Sequence, residues 1–177
     1  MALYFGGRLV LFLIGAILGV VFVILNRTLE NNKKLIVIFF SLYICSIIQF
    51  LILPIPLNAA AIKYMQVPSF DWNYINFVPL ISIRSLSPMV LHFVIFLPFG
   101  GFVSYFSGKP VFKILAFLIV PFFVEFFQGS ISWYFGILYK YADINEFLFG
   151  TIGCLVGALI FLSINTRVKF AGHQVEE

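Results

Sequence analysis

Glu125 lies in FFVEFFQGS, residues 122–130, among phenylalanines, with Gln128 three residues on. A charge at the centre of a bilayer costs roughly 2.5–3.5 kcal/mol on insertion scales, so such acids face protein or water and mark functional sites by default. On a helix, residues i and i+3 are neighbours, so Glu125 and Gln128 share one polar stripe. Other groups able to do chemistry are His92, Asn76 and the cluster Asp143, Asn145, Glu146 in YADINEF. A desolvated carboxyl beside an imidazole is the raw material of general acid–base catalysis, and the same groups can recognise a polar headgroup.

Each of these residues also has a simpler reading. Asp143 or Asn145 can cap the helix that follows, whose first amides need acceptors. Glu146, three residues after Asp143, fits the reciprocal half of a capping box. His92 can be an interfacial histidine, and Gln128 can hydrogen-bond between helices. Glu125 can form a structural salt bridge, for instance to Lys140 or Arg84. Cys45 and Cys154 sit in apolar runs without a partner at metal-ligand spacing, so they are expected to be buried thiols with no disulfide.

The elements that position these groups follow from composition. The 177-residue chain is 62% hydrophobic and only 10% charged, with a mean hydropathy of +1.09. A water-soluble domain carries about 25% charged residues. An all-α, polytopic membrane protein is expected. Five runs approach the roughly 20 apolar residues that a spanning helix needs: Leu3–Leu25, Leu35–Leu53, Met89–Phe106, Val111–Gln128 and Ile144–Ile164. Pro98 and Gly100–Gly101 should kink the third. The first run is expected to be a retained helix, because LNRTLENN follows it without a small-residue cleavage pattern. Gly15–Gly19 and Gly153–Gly157 have the small-xxx-small spacing of close helix packing.

The expected organisation is two N-terminal transmembrane helices over 1–56, an outer interfacial loop over 57–88, three further helices up to residue 165 and a cytoplasmic tail over 166–177. Arg27, Lys33, Lys34, Lys109, Lys113, Arg167 and Lys169 fall on one side, against Arg8, Lys63, Arg84 and Lys140 on the other. The more basic side is expected to be cytoplasmic, with the N-terminus outside and the C-terminus inside. Glu125 then lies roughly 21 Å along its helix, in the outer third of a core about 30 Å thick. Gln128, His92, Asn76 and the start of the last helix converge at that depth. Trp72, Tyr74, Trp133, Tyr134, Tyr139 and Tyr141 belong to loops expected to lie along the outer headgroup layer.

NFVPL at 76–80, HFVIFLPFGG at 92–101, VEFFQ at 124–128 and ADINEFLFGTIGCLVG at 142–157 resemble, in this order, the motifs of the VanZ-like family. The resemblance covers residues 70–165. It assigns Asn76 and Pro79 to the first motif, and Phe96, Pro98 and Gly100 to the second. Glu125 and Gln128 match the third, and Asp143, Thr151 and Gly153 the fourth. The chain departs from the pattern at His92, where the family often has Asn, at Asn145 in place of a second acid, and at Gly150. The connection from Gln128 to Asp143 also looks long. These departures weigh against a fixed metal site built on two aspartates two residues apart.

The resemblance implies a cell-envelope role connected with resistance to teicoplanin-type glycopeptides. The expected partners are membrane lipids, with a lipid-linked cell-wall component or a lipoglycopeptide bound at the outer leaflet, and self-association is compatible with the packing surfaces. An intramembrane enzyme using Glu125 as acid or base, or a small transporter, is the alternative. No nucleic-acid partner, cofactor or metal site is expected, since the basic residues flank apolar runs and no phosphate loop, nucleophile elbow or cysteine zinc site occurs.

Overall fold

The computed structural model describes residues 2–26, 28, 30–52, 63, 75–77, 86–136, 140 and 142–173, with only the backbone described for 2–9, 11 and 168–173. The chain is all-α, and its described residues form five long helices. These are α1 (Ala2–Leu25), α2 (Asn31–Ile47, continuing as a π-helical turn Ile48–Ile52), α3 (Leu86–Phe106), α4 (Pro110–Phe135) and α5 (Ile144–His173). Among the described residues, four stretches are long and apolar enough to cross a membrane: Asn31–Ile52, Leu86–Phe106, Pro110–Phe135 and Ile144–Arg167. The 24-residue α1 carries a shorter apolar stretch, Phe12–Leu25. Exposed Leu, Ile, Val and Phe cover the outer faces of the helices, as a lipid-facing surface requires.

Residues 1–56 and 57–177 form two compact units. In the first, α1 packs on α2 through the glycine pair. A Cβ on Gly15 would lie 2.8 Å from Cys45 Sγ, and one on Gly19 would lie 3.1 Å from Ile38 Cα. Cys45 and Cys154 are both free and buried, so they behave as small apolar groups.

The second unit holds every candidate residue. Its α3 and α5 cross at backbone distance. A Cβ on Gly100 would run into the Cys154 carbonyl, one on Gly157 into the Leu97 carbonyl, and one on Gly153 into the Phe93 carbonyl. The ring of Phe96, fully buried, lies over Gly150. Glycine therefore stands wherever the two helices would otherwise be held apart by a side chain, which is how small residues drive helix association in lipid.

Prolines inside α3 and α4 do not end the helices. Pro121 cannot donate to the carbonyl four residues before it, that of Phe117. The hydroxyl of Thr151, on α5, donates to that same carbonyl at 3.3 Å. A neighbouring helix thus satisfies the group that proline sets free, as a medium without water demands.

The helix ends differ from the expected ones in one place that matters. The fourth helix does not stop at Gln128 but runs on to Phe135, through Gly129 and Ser130. Gly136 then ends it in the left-handed conformation, φ 58°, with its N–H bonded to the Trp133 carbonyl at 3.2 Å. Trp133 and Tyr134 accordingly lie on the exposed last turns of α4, not in a loop. Trp72, Tyr74, Tyr139, Tyr141, Pro79 and Arg84 lie outside the described residues. The last helix also continues past Ile164 to His173, across part of the expected tail.

Replacing Gly100 or Gly157 by Val should lower the apparent melting temperature of the purified protein in detergent, at an overpacking cost of about 1–3 kcal/mol. Gly108→Ala, at a position with nothing within 4 Å, should leave it unchanged.

Candidate functional site

The start of α5 is the anchor of the site. The first amides of a helix have no intrahelical acceptor and need partners when buried. Asp143 supplies one: its Oδ1 accepts the Asn145 N–H at 2.8 Å, two residues on, in the manner of an N-cap. The same oxygen accepts the side-chain amide of Asn76 at 2.9 Å. Asn76 reaches it because β1 (Ile75–Asn76) and β2 (Ala142–Asp143) pair as a two-residue parallel ladder, in which Asn76 stands opposite Asp143.

Asp143 is thus the cap, and Asn145 is the residue capped. A capping box would return the N3 carboxylate, Glu146, to the Asp143 N–H. The chain does otherwise. Glu125 Oε2, from the middle of α4, accepts the Asp143 N–H at 3.0 Å. Glu146 is turned instead toward His92, with Oε2 at 3.2 Å from Nδ1. The half of the box expected from Glu146 is therefore supplied by Glu125 on another helix.

His92 lies on α3, six residues after its first residue, Leu86, and deeper than the first turn expected of it. Its Nδ1 is 2.9 Å from the Pro88 carbonyl, four residues earlier. A carbonyl only accepts, so this nitrogen carries a proton. On the other side of the ring, Nε2 lies 3.1 Å from Glu125 Oε1. That contact lacks hydrogen-bond alignment, and both atoms are buried without a hydrogen-bond partner. Glu125 thus divides its oxygens between two tasks: one holds the backbone at the entry to α5, and the other faces an imidazole.

Of the expected residues, Asn76, His92, Glu125, Asp143 and Asn145, all buried, form one connected cluster with the half-buried Glu146, drawn from β1, α3, α4, β2 and α5. Gln128 is buried one turn beyond Glu125 on α4. No salt bridge between Glu125 and Lys140 is needed to account for the carboxylate. Lys140 does act electrostatically on Glu146 and Glu125, while burial, the larger effect, lowers its pKa below the ordinary lysine value.

The cluster is recessed relative to α4. Phe135 is ten residues, about 15 Å, past Glu125 on that helix. Beyond the cluster, Ser132 ties the returning chain to α4: its hydroxyl donates to the Lys140 carbonyl at 2.8 Å and accepts the Lys140 N–H at 3.2 Å. Ser132 was not among the expected residues; a lone serine in an apolar run carries no signal of a partner eight residues away. Thr151 was named through the family motif alone, although a proline four residues after Phe117 is a usable sign that some hydroxyl must approach that carbonyl.

Comparison with known protein families, with curated proteins and with solved structures finds no match. The site is therefore read from its own geometry.

A cavity of about 620 Å³ opens beside the cluster. Its polar wall is Asn76, Glu125, Ser130 and Asp143, and its apolar wall includes Phe122, Phe126, Trp133 and Phe147. Phe122 stacks on Phe126 with ring centroids 6.3 Å apart and meets Phe147 edge-on at 6.4 Å. Also among the described residues, His92, Glu125 and Glu146 each offer a ligand atom within 4.8 Å of the other two, a donor set able to hold a metal ion.

Asn76→Ala removes a buried partner of Asp143 Oδ1 and should cost about 1–3 kcal/mol in unfolding free energy. Amide hydrogen exchange at Asp143 and Asn145 should accelerate with it; unchanged protection at both amides would contradict the assigned role.

Proposed function

We propose that this protein is an envelope membrane protein that takes an amphiphile into the cavity beside Glu125, with the polar part of the ligand at Asn76, Glu125 and Asp143 and its apolar part along the aromatic wall. The observation that carries this reading is the pairing of a polar wall with an aromatic one in a single cavity of about 620 Å³. Ligand sites are concave and mostly apolar, with a few convergent polar groups, and a lipid-like ligand needs both kinds of wall. The distribution of Lys and Arg supports an orientation with the C-terminus cytoplasmic, which puts the cavity in the outer half of the membrane. The resemblance to the VanZ-like family supports an envelope role, with a lipid-linked wall component or a teicoplanin-type lipoglycopeptide as the ligand. Its motif positions Asn76, Glu125 and Asp143 are among the polar residues of the cavity wall.

A second reading is an enzyme acting on the same amphiphile. It is favoured by the imidazole of His92 set between two carboxylates, Glu125 and Glu146, a geometry suited to moving a proton at the edge of a bound ligand. The two readings share a ligand and differ in whether a bond in it breaks.

Glu125→Gln keeps an oxygen able to accept the Asp143 N–H and removes the charge. In cells lacking their own resistance determinant, expression of the wild-type protein should reduce susceptibility to teicoplanin, and Glu125→Gln should abolish that protection at equal membrane abundance. Native mass spectrometry should show lipid-sized adducts on the wild type that Ser130→Trp, which fills the cavity edge, removes. Full protection by a well-expressed Glu125→Gln would end this proposal, and conversion of a co-purified lipid to product would select the enzyme.

A further inference from the structure

The side of Glu125 that faces His92 poses a problem separate from the cavity. Nδ1 of His92 carries its proton between the Pro88 carbonyl, at 2.9 Å, and Glu146 Oε2, at 3.2 Å. In a neutral ring Nε2 is then a bare lone pair, and the atom 3.1 Å from it is a carboxylate oxygen, also an acceptor. Both residues are more than nine-tenths buried, at 3% and 6% exposure, and neither of these two atoms has a hydrogen-bond partner. Two acceptors held together in a low dielectric repel unless something positive stands between or beside them.

The wider charge count makes the same demand. Glu125, Asp143 and Glu146 are three acids at one place, joined by His92 and by the electrostatic influence of Lys140. The carboxylates gathered here outnumber the basic side chains that face them, and a cation would balance the excess.

We propose that His92, Glu125 and Glu146 bind a divalent first-row transition metal ion of the Zn2+ or Mn2+ type. The Nε2–Oε1 separation of 3.1 Å is the edge length of a coordination shell whose bonds are about 2.0–2.2 Å. The ligand atoms of all three residues lie within 4.8 Å of one another, so side-chain movements of about an ångström close the set around an ion with bonds of about 2.0–2.2 Å. An imidazole with its other nitrogen donating to a backbone carbonyl is the usual arrangement around a bound metal, because that bond fixes the tautomer and aims the ring. Glu125 is steadied likewise by the Asp143 N–H on its second oxygen. One imidazole with two carboxylates suits Zn2+ or Mn2+ better than Mg2+, which prefers oxygen and water.

The ion would sit on the far side of a residue that lines the cavity, but the inference does not depend on any ligand there. The full-length protein, purified in detergent with its tag removed and dialysed against a chelator, should bind one equivalent of added Zn2+ by isothermal titration calorimetry with no lipid present. X-ray absorption at the zinc edge of the wild-type complex should show one imidazole with oxygen donors. His92→Gln and Glu146→Gln should each weaken binding by about tenfold or more. Glu30→Gln, at an exposed position, should not change it.

Three results would overturn the proposal: no stoichiometric binding to wild type, a spectrum showing thiolate or water-only ligation, or wild-type affinity in both ligand variants. The first would mean that a second proton on His92, not a metal, bridges the two acceptors. Because the spectrum is taken on the wild type, the proposal stays testable if either variant fails to fold. Loss of metal binding with teicoplanin protection intact, or the reverse, separates this inference from the amphiphile reading.

Discussion

The hydrogen bond from the Asp143 amide to the Glu125 carboxylate is the contact on which the site depends. A helix that begins inside a low-dielectric region cannot leave its first amides to water, and each unsatisfied group there costs several kcal/mol. The entry to α5 is such a beginning, for Asp143 and Asn145 are both buried. The chain meets the requirement by relay: Asn145 donates to Asp143, Asn76 donates to Asp143, and Asp143 donates to Glu125. A carboxylate on α4 thereby determines where α5 starts and how β1 lies beside it. Glu125 among phenylalanines is no longer an isolated charge, since its neighbouring rings cover the outer faces of a helix whose polar stripe is occupied by backbone.

That relay works only because α3 can come close to α5. Gly100, Gly153 and Gly157 let the two backbones touch, and Gly153 meets the carbonyl of Phe93, the residue next to His92. The glycine surface and the polar cluster are therefore one construction. Spreading the helices by the width of a methyl group would carry His92 away from Glu146, whose contact is 3.2 Å. Packing by small residues, ordinary in membrane helices, here sets the distances of a chemical site.

Composition made the helical class legible, because a run of apolar residues long enough to span has few alternatives in this chain. The end of α4 was harder to read. Gly129 and Ser130 are helix-breaking signals in water, but within a membrane-type helix the backbone has no solvent to bond to and continues until Gly136 supplies a left-handed stop. At the site, the polar residues were legible as a set because their types are so rare in this background. Their pairing was not. Asp143 with Glu146 satisfies the local spacing of a capping box, and nothing local reveals that Glu125, 18 residues earlier, takes the amide. The Thr151 bond to the carbonyl freed by Pro121 joins residues 34 apart and is likewise a fact of packing.

Glu125 belongs to the cavity wall and to the His92 cluster at once, and this shared membership couples the two. One of its oxygens is committed to the Asp143 amide, so the carboxylate cannot swing toward a ligand without releasing the start of α5. What it presents to the cavity must then change by charge and not by position. Whatever occupies the gap between Nε2 and Oε1, a proton or a cation, sets that charge. On the proposed reading, a polar group at Asn76 and Asp143 would meet a wall whose electrostatics are decided on the opposite side of a single side chain. Rigidity at one oxygen and adjustability at the other is the physical content of placing an acid here, and it explains why a backbone bond and an imidazole are both arranged around it.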